Sequence, residues 1–256
     1  MKPQISIRDI DKYYPSKRGR VHALSNLSFD IMDGDFVTVV GPSGCGKSTL
    51  LKIIAGIHPF TSGTIELEGQ EIVGPNSKIG IVFQSSVLLP WRTVINNVLL
   101  PIDVQRKKRA DYHARAAEML RLVGLDGFED RYPFELSGGM QQRVSICRAL
   151  INDPAILLMD EPFGALDAMT RELMNVWLQD VWMESGKTVL FITHSIPEAV
   201  FLGDQVVVMT PRPGSVDEIV DIEIRRPRSL EVLSSREVGS HVSHIRERFG
   251  TDSILD

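Results

Sequence analysis

A chain of 256 residues, 43% hydrophobic and 24% charged, can bury a large core and has the length of one substantial domain or of a core with a subdomain. Its 33 acidic residues outnumber 28 basic ones, a net charge of -5 that argues against a nucleic-acid binder as the first expectation. Two cysteines, Cys45 and Cys147, make neither a disulfide framework nor metal-ligand spacing, so a reducing cytosol fits, and no apolar run reaches the length of a membrane span.

The opening stretch, MKPQISIRDIDKYY, lacks the apolar centre of a signal peptide. ISIRDI from Ile5, LSFDI from Leu27 and GTIELEG from Gly63 alternate apolar and polar residues, the pattern of half-exposed antiparallel strands. A second kind of strand is continuously apolar: DFVTVV from Asp35, KIGIVF from Lys78, AILLMD from Ala155, TVLFIT from Thr188 and QVVVMT from Gln205. Runs of this kind are buried on both faces of a mainly parallel sheet. Helical spacing follows them, over Lys47 to Gly56, about Met169 to Glu184, and Pro197 to Leu202. From about Leu88 to Asn152 the pattern is helical throughout, with Tyr112, Ala116, Met119, Leu120 and Val123 on one face. An α/β core with a helical insertion is expected, and a tail helix around Leu230 to Phe249 that Gly239 weakens. Two basic clusters, RKKR from Arg106 and RRPR from Arg225, read as solvated faces, with anionic lipid headgroups as the other reading.

GPSGCGKST, from Gly41 to Thr49, fits G-x-x-x-x-G-K-[ST] and lies between a strand and a helix. Such a loop turns backbone N–H groups and a helix N-terminus toward phosphate oxygens. Lys47 is expected on the β- and γ-phosphates and the Ser48 hydroxyl in a Mg²⁺ shell, with Gly41, Pro42, Ser43, Gly44, Cys45, Gly46 and Thr49 completing the cradle. ILLMDEP, from Ile156, delivers Asp160 to the C-terminal end of a buried strand, where ligands collect in parallel sheets. Asp160 is expected to bind Mg²⁺ through water, and Glu161 to serve as general base for the attacking water. His194, ending the next strand in FITHS, is expected to make a polar contact to the γ-phosphate. Gln84, in IVFQSS, offers an amide oxygen to Mg²⁺ from another strand end. A second anion-binding pattern, LSGGMQQRV from Leu136, places Ser137 and two glycines before an amphipathic segment.

Together these residues resemble the ATP-binding cassette (ABC) transporter ATPases, from the N-terminus to about Pro211. The family's signature resembles LSGGM, its Q-loop VFQ, its D-loop GALD around Asp167, and its H-loop ITH. Met140 departs from the family, which usually carries glutamine there, while Ser137, Gly138 and Gly139 keep the anion-binding elements. The resemblance implies a P-loop NTPase fold with a mainly parallel sheet, an antiparallel β subdomain and a helical subdomain. It implies ATP and Mg²⁺ as cofactors and adenine stacking on Tyr14, with Tyr13 the alternative if the register differs by one. It also implies that Ser137, Gly138, Gly139 and Met140 close the nucleotide of a second, two-fold-related cassette, so that ATP joins a homodimer, with a paralogous partner cassette as the other reading.

GPNSKIGIVFQSSVLLPWRTVINNVLLPI from Gly74 and PRPG at Pro211 are similar to the cassettes of nitrate-, sulfonate- and taurine-type importers. That likeness implies transmembrane permease subunits contacted by Leu88, Leu89, Pro90 and Trp91, with core packing of this cluster as the other reading. A substrate-binding protein is implied indirectly, nucleic acid is not, and the location implied is the cytoplasmic face of the inner membrane. The competing readings are the ATPase of a lipid or lipoprotein exporter and a non-transport cassette.

Overall fold

The computed structural model describes residues 2–17 and 19–249. In chain order the strands are β1 (Ile5–Ser16), β2 (Gly19–Ile31), β3 (Phe36–Val40), β4 (Ser62–Leu67), β5 (Gln70–Glu71), β6 (Ile79–Val82), β7 (Ile156–Asp160), β8 (Thr188–Ile192), β9 (Gln205–Met209) and β10 (Val216–Asp221). The helices are α1 (Lys47–Ile54), α2 (Val94–Val98), α3 (Leu100–Val104), α4 (Ala110–Leu122), α5 (Gly138–Leu150), α6 (Ala168–Ser185), α7 (Ile196–Leu202) and α8 (Arg236–Arg248). They fall into two compact units, one of residues up to Asn76 together with those from Glu172 onward, the other spanning Ser77–Arg171.

In the first unit β3 lies between β8 and β9 and is parallel to both. Every residue of β3 and β8 is buried, which is what their uninterrupted apolar sequences require. β10 closes the edge by pairing antiparallel with β9. Sequence pattern does not announce β10, because VDEIVD carries three acids and no strict apolar–polar alternation. The expected half-exposed strands form a separate antiparallel sheet in the order β2-β1-β4-β5. Its register sets Ile5 opposite Ile31 and Leu67, and Ile7 opposite Phe29 and Ile65, so one face is apolar throughout.

The single tail helix expected over Leu230 to Phe249 is instead a 3₁₀ turn at Leu230–Ser234 followed by α8. Ser235 divides them: its backbone is extended, and its side-chain oxygen accepts from Val238 N at 3.2 Å, as an N-cap does. Gly239 sits inside α8 without ending it. Burial of Val238 and Ile245 against Val200, Val206 and Ile222 outweighs one glycine's cost of about 1 kcal/mol.

The RRPR cluster is not a solvated face. Arg225 is exposed, but Arg226 lies 4.3 Å over the Trp182 ring and bonds to Asp204 at 2.8 Å. Arg228 is buried, and its guanidinium donates to the carbonyls of Val200, Phe201, Gly203, Ile222 and Ile224 at 2.8–3.3 Å. Burial pushes its pKa down to about 10, which leaves it charged at neutral pH. RKKR does stand in solvent, with Lys107 bonded to Asn152 and Arg109 to Asp103.

The second unit carries the parallel pair β6 and β7, with β7 buried along its whole length. Between these strands the chain is helical, and the described residues there include no strand. Val94, Val98, Ile102, Ala116, Leu120, Val144 and Ile146 form its apolar interior. Among the described residues no helix is long and apolar enough to cross a membrane.

Candidate active site

In the first unit, β3 ends at Val40 and the chain turns at once into the Gly41–Ser48 loop, whose last two residues open α1. Gly46 caps the helix at φ 108°, a left-handed conformation that a side chain would strain. A Cβ there would also stand 2.6 Å from the Leu24 side chain. Lys47 is buried, and its Nζ donates to the Gly41 and Pro42 carbonyls at 2.7 and 3.2 Å, so its charge lies within the ring of the loop. Burial pushes the Cys45 thiol above its ordinary range, and the Cys147 thiol, in the second unit, up to about 12. Both are free thiols, and neither has the character of a nucleophile.

The turn between β9 and β10 supports this loop. Gly214 N donates to Ala23 O at 3.0 Å, and Gly214 O accepts from Ser25 N at 2.9 Å. A Cβ on Gly214 would lie 1.9 Å from the Cys45 carbonyl oxygen. The PRPG sequence thus brings bare backbone against the phosphate loop, a role that sequence alone did not disclose.

Strand alternation sends the two tyrosines of β1 to opposite faces. Tyr13 stacks on His22, with ring centroids 4.0 Å apart and planes at 9°. Tyr14 reaches toward α1, its hydroxyl 3.4 Å from Thr49 Oγ1, with Lys12 Nζ 4.7 Å from its ring centroid. Of the two, Tyr14 is the one beside the phosphate loop. His194 is exposed just beyond β8, between buried Thr193 and the α7 N-cap Ser195.

The second unit contributes the acidic strand end. Asp160 is buried at the end of β7, and Glu161 follows in the left-handed region at φ 46°. A non-glycine residue held there costs of the order of 1 kcal/mol and re-aims its side chain relative to the strand. Glu161 Oε2 accepts from Gln84 Nε2 at 3.1 Å. A carboxylate only accepts, so the amide nitrogen of Gln84 is the atom committed to it, not the amide oxygen. Asp167 caps α6 by accepting from Thr170 N at 3.0 Å, and this bonding to Thr170 holds its carboxyl below the usual range.

Ser137 is the N-cap of α5, its Oγ accepting from Met140 N at 3.3 Å, with Gly138 and Gly139 as the first helical residues. Three further α5 side chains hold the segment after β6. Gln142 donates to Phe83 O at 2.9 Å, Arg148 to Ser86 O and Val87 O at 2.8 Å each, and Gln141 accepts from Ser86 Oγ while donating to Leu136 O. The backbone around Gln84 and the start of the signature are therefore fixed by one helix, a connection that sequence spacing could not reveal.

Trp91 is 71% exposed, which excludes the core-packing reading of the Leu88, Leu89, Pro90, Trp91 cluster for that residue. Asn97, fully buried, holds this turn in shape by accepting from Leu89 N and donating to the Leu89, Arg92 and Thr93 carbonyls. Of the four residues, Leu89 lines an open apolar groove of about 460 Å³, with Ile79, Ile81, Phe83, Val87, Leu100 and Val104.

Among the described residues no three or more His, Cys, Asp or Glu cluster as a metal site. The candidate donors are a hydroxyl (Ser48), an amide (Gln84) and a carboxylate (Asp160). Ser48 belongs to the first unit, and Gln84 and Asp160 to the second; each by itself offers the hard oxygen that Mg²⁺ takes.

A glycine loop closed around its own lysine, leading from a buried parallel strand into a helix, defines a P-loop nucleoside triphosphatase. The chain belongs to the ABC transporter family, whose profile matches residues 24–164, and it is an ATP hydrolase of that family. Among curated proteins it is 54% identical to a taurine import ATP-binding protein of Rhizobium johnstonii, covering 88% of this chain and 86% of that one. It is 44% identical to an aliphatic sulfonates import ATP-binding protein of Bacillus cereus, with 93% and 94% covered. A solved dimeric ATP-binding cassette in a post-hydrolysis state with ADP and Pi superposes with a TM-score of 0.78 at 33% identity, covering 86% of this chain and all of that one. A dimeric bacterial ABC transporter cassette gives 0.79 at 34%. The likeness bears out the α/β P-loop architecture expected from the sequence.

Proposed function

We propose that this chain is the ATP-hydrolysing subunit of an importer for small organic anions of the sulfonate or taurine type, working on the cytoplasmic face of the inner membrane as a homodimer beneath permease subunits. The observation that carries the reading is the joint presence of the buried Lys47 loop and the Gln84–Glu161 pair in a chain 54% identical to a taurine import subunit. Tyr14 stacks on adenine, Lys47 neutralises the β- and γ-phosphates, and Ser48 is the metal-binding hydroxyl. Mg²⁺, when bound, would offset charge on the phosphates, and Gln84 and Asp160, the latter through water, would be further oxygen donors to it. Glu161 takes the proton of the attacking water and His194 contacts the γ-phosphate. Ser137, Gly138, Gly139 and Met140 serve the nucleotide of the partner cassette, and Asp167 accompanies them. Leu88, Leu89, Pro90 and Trp91 meet a permease helix, and a substrate-binding protein delivers the solute.

Deletion and complementation test this reading. Cells lacking the chain should lose growth on taurine or an alkanesulfonate as sole sulfur source. The wild-type chain should restore it, and Lys47→Ala should not. Purified Lys47→Ala should bind ATP weakly and hydrolyse none. A Lys47→Ala protein with near-normal turnover would overturn the site, and growth unaffected by deletion would overturn the substrate class.

A further inference from the structure

A buried carboxylate sits four residues beyond His194. Glu198, at the third position of α7, is 7% exposed. Its Oε2 accepts from the hydroxyl of Thr193, which is 2% exposed. The same hydroxyl oxygen accepts from Ser195 N at 3.0 Å, and Ser195 Oγ in turn accepts from Glu198 N at 3.4 Å. The loop formed by these bonds passes through residues 193, 195 and 198, and His194 stands exposed between the first two of them.

The chemistry of the clasp has a direction. A carboxylate can only accept, so the Thr193 O–H must point at Glu198, and the hydroxyl lone pairs are left for the Ser195 amide. The Thr193 hydroxyl thereby ties the Ser195 amide, on the far side of His194, to the Glu198 carboxylate. Helix capping alone does not need this arrangement, since Ser195 already supplies the N-cap oxygen. Burying a carboxylate is costly unless charge-assisted hydrogen bonds compensate it, so a role confined to filling space would be met better by an apolar residue.

We infer that Glu198, acting through Thr193 and Ser195, is a positioning residue that sets the backbone of His194 for its contact with the γ-phosphate. The inference rests on the proposed role of His194. A histidine displaced by about 1 Å loses its alignment with a reacting group, a change that can cost of the order of 10²-fold in rate without a comparable change in binding.

The test measures ATP hydrolysis by the full chain with Mg²⁺, fitting kcat and KM separately for Glu198→Ala, Glu198→Gln, Thr193→Val, Thr193→Ser and His194→Ala. The first and third should lower kcat by about 10- to 100-fold with KM for ATP changed less than about threefold. Glu198→Gln can still present an oxygen to Thr193, and Thr193→Ser keeps the hydroxyl, so each should recover most of the rate lost by its partner variant. In a His194→Ala background, Glu198→Ala should have no further effect on kcat, because its influence passes through the missing ring. If His194→Ala hydrolyses normally, the proposed role of His194 fails, whatever Glu198 does. If His194→Ala is slow while both Glu198→Ala and Thr193→Val keep the wild-type kcat, the positioning role is overturned. Additive losses in the double variant overturn it as well, because Glu198 would then act by another route. Should Glu198→Ala fold poorly by circular dichroism, Thr193→Val in the same cycle decides, since it keeps the volume and removes only the hydroxyl.

Discussion

Gln84 Nε2 donates to Glu161 Oε2 at 3.1 Å, joining the second residue after β6 to the first residue after β7, two strands that run parallel. The carboxylate proposed to take a proton from water is thus held by an amide in a segment whose Phe83 and Ser86 carbonyls are bound by α5. Glu161→Gln keeps the shape and loses the base, so turnover should fall about 10²- to 10⁴-fold while ATP still binds. The variant should then accumulate as an ATP-bound dimer, read by light scattering at saturating nucleotide and high protein concentration, and ADP should not support it. Adding Ser137→Arg should abolish that dimer and leave ATP binding by the monomer intact. Loss of monomer binding would mean that the signature serves its own nucleotide.

The support of the phosphate loop by Gly214 makes a second prediction. A Cβ 1.9 Å from the Cys45 carbonyl cannot be accommodated without moving either the loop or the β9–β10 turn. Gly214→Ala should therefore weaken ATP binding at least about tenfold, roughly 1.4 kcal/mol. Fluorescent-nucleotide titration checks it, and unchanged affinity would show that the turn yields instead of the loop.

The two tyrosines of β1 are separable by titration. Tyr14→Ala should weaken ATP binding by roughly 1–3 kcal/mol, the range for base–aromatic stacking, and Tyr14→Trp should retain it. Tyr13 stacks on His22, so Tyr13→Ala should change affinity little. The larger loss at Tyr13 would assign the stacking to the other register.

Sequence made the buried strands and the phosphate loop readable because continuous β-branched runs and a fixed glycine spacing are local patterns. β3, β7 and β8 appear where FVTVV, ILLMD and TVLFI place them. The supports of the site were not readable in this way. Gly214 meets Cys45, and Arg148 meets Ser86 and Val87, across long separations in the chain that carry no periodic signal. The Ser195–Glu198 cap is a different case: Ser-x-x-Glu before an apolar run is a legible capping signal, but the hydroxyl of Thr193 completes it only in three dimensions. RRPR misled because composition reports charge and not burial. Five carbonyls converging on Arg228 make a cation preferable there.

That convergence predicts a stability effect. Arg228→Leu leaves the Val200, Phe201 and Gly203 carbonyls at the end of α7 without their donor, along with those of Ile222 and Ile224. Several buried carbonyls left unpaired at about 1–3 kcal/mol apiece should lower unfolding stability by more than about 3 kcal/mol. Arg228→Lys should not rescue it, because an ammonium has three donors and lacks the planar fork. Urea unfolding checks both variants, and a loss under about 1 kcal/mol would show that the carbonyls find water.

Trp91 separates folding from assembly. At 71% exposure it contributes little to the fold, so Trp91→Ala should change unfolding free energy by no more than about 0.5 kcal/mol and leave nucleotide affinity unchanged. Its turn stays in place through Asn97, which bonds to Leu89, Arg92 and Thr93 and does not depend on the indole. A large aromatic at the centre of an interface is worth about 2 kcal/mol or more, so co-purification with the membrane subunits should weaken about thirtyfold. Asn97→Ala should weaken assembly too, but at a cost in stability, because it unpairs a buried loop. Unchanged co-purification of Trp91→Ala would place the permease contact elsewhere, and the groove lined by Leu89 and Val104 would be the next surface to test.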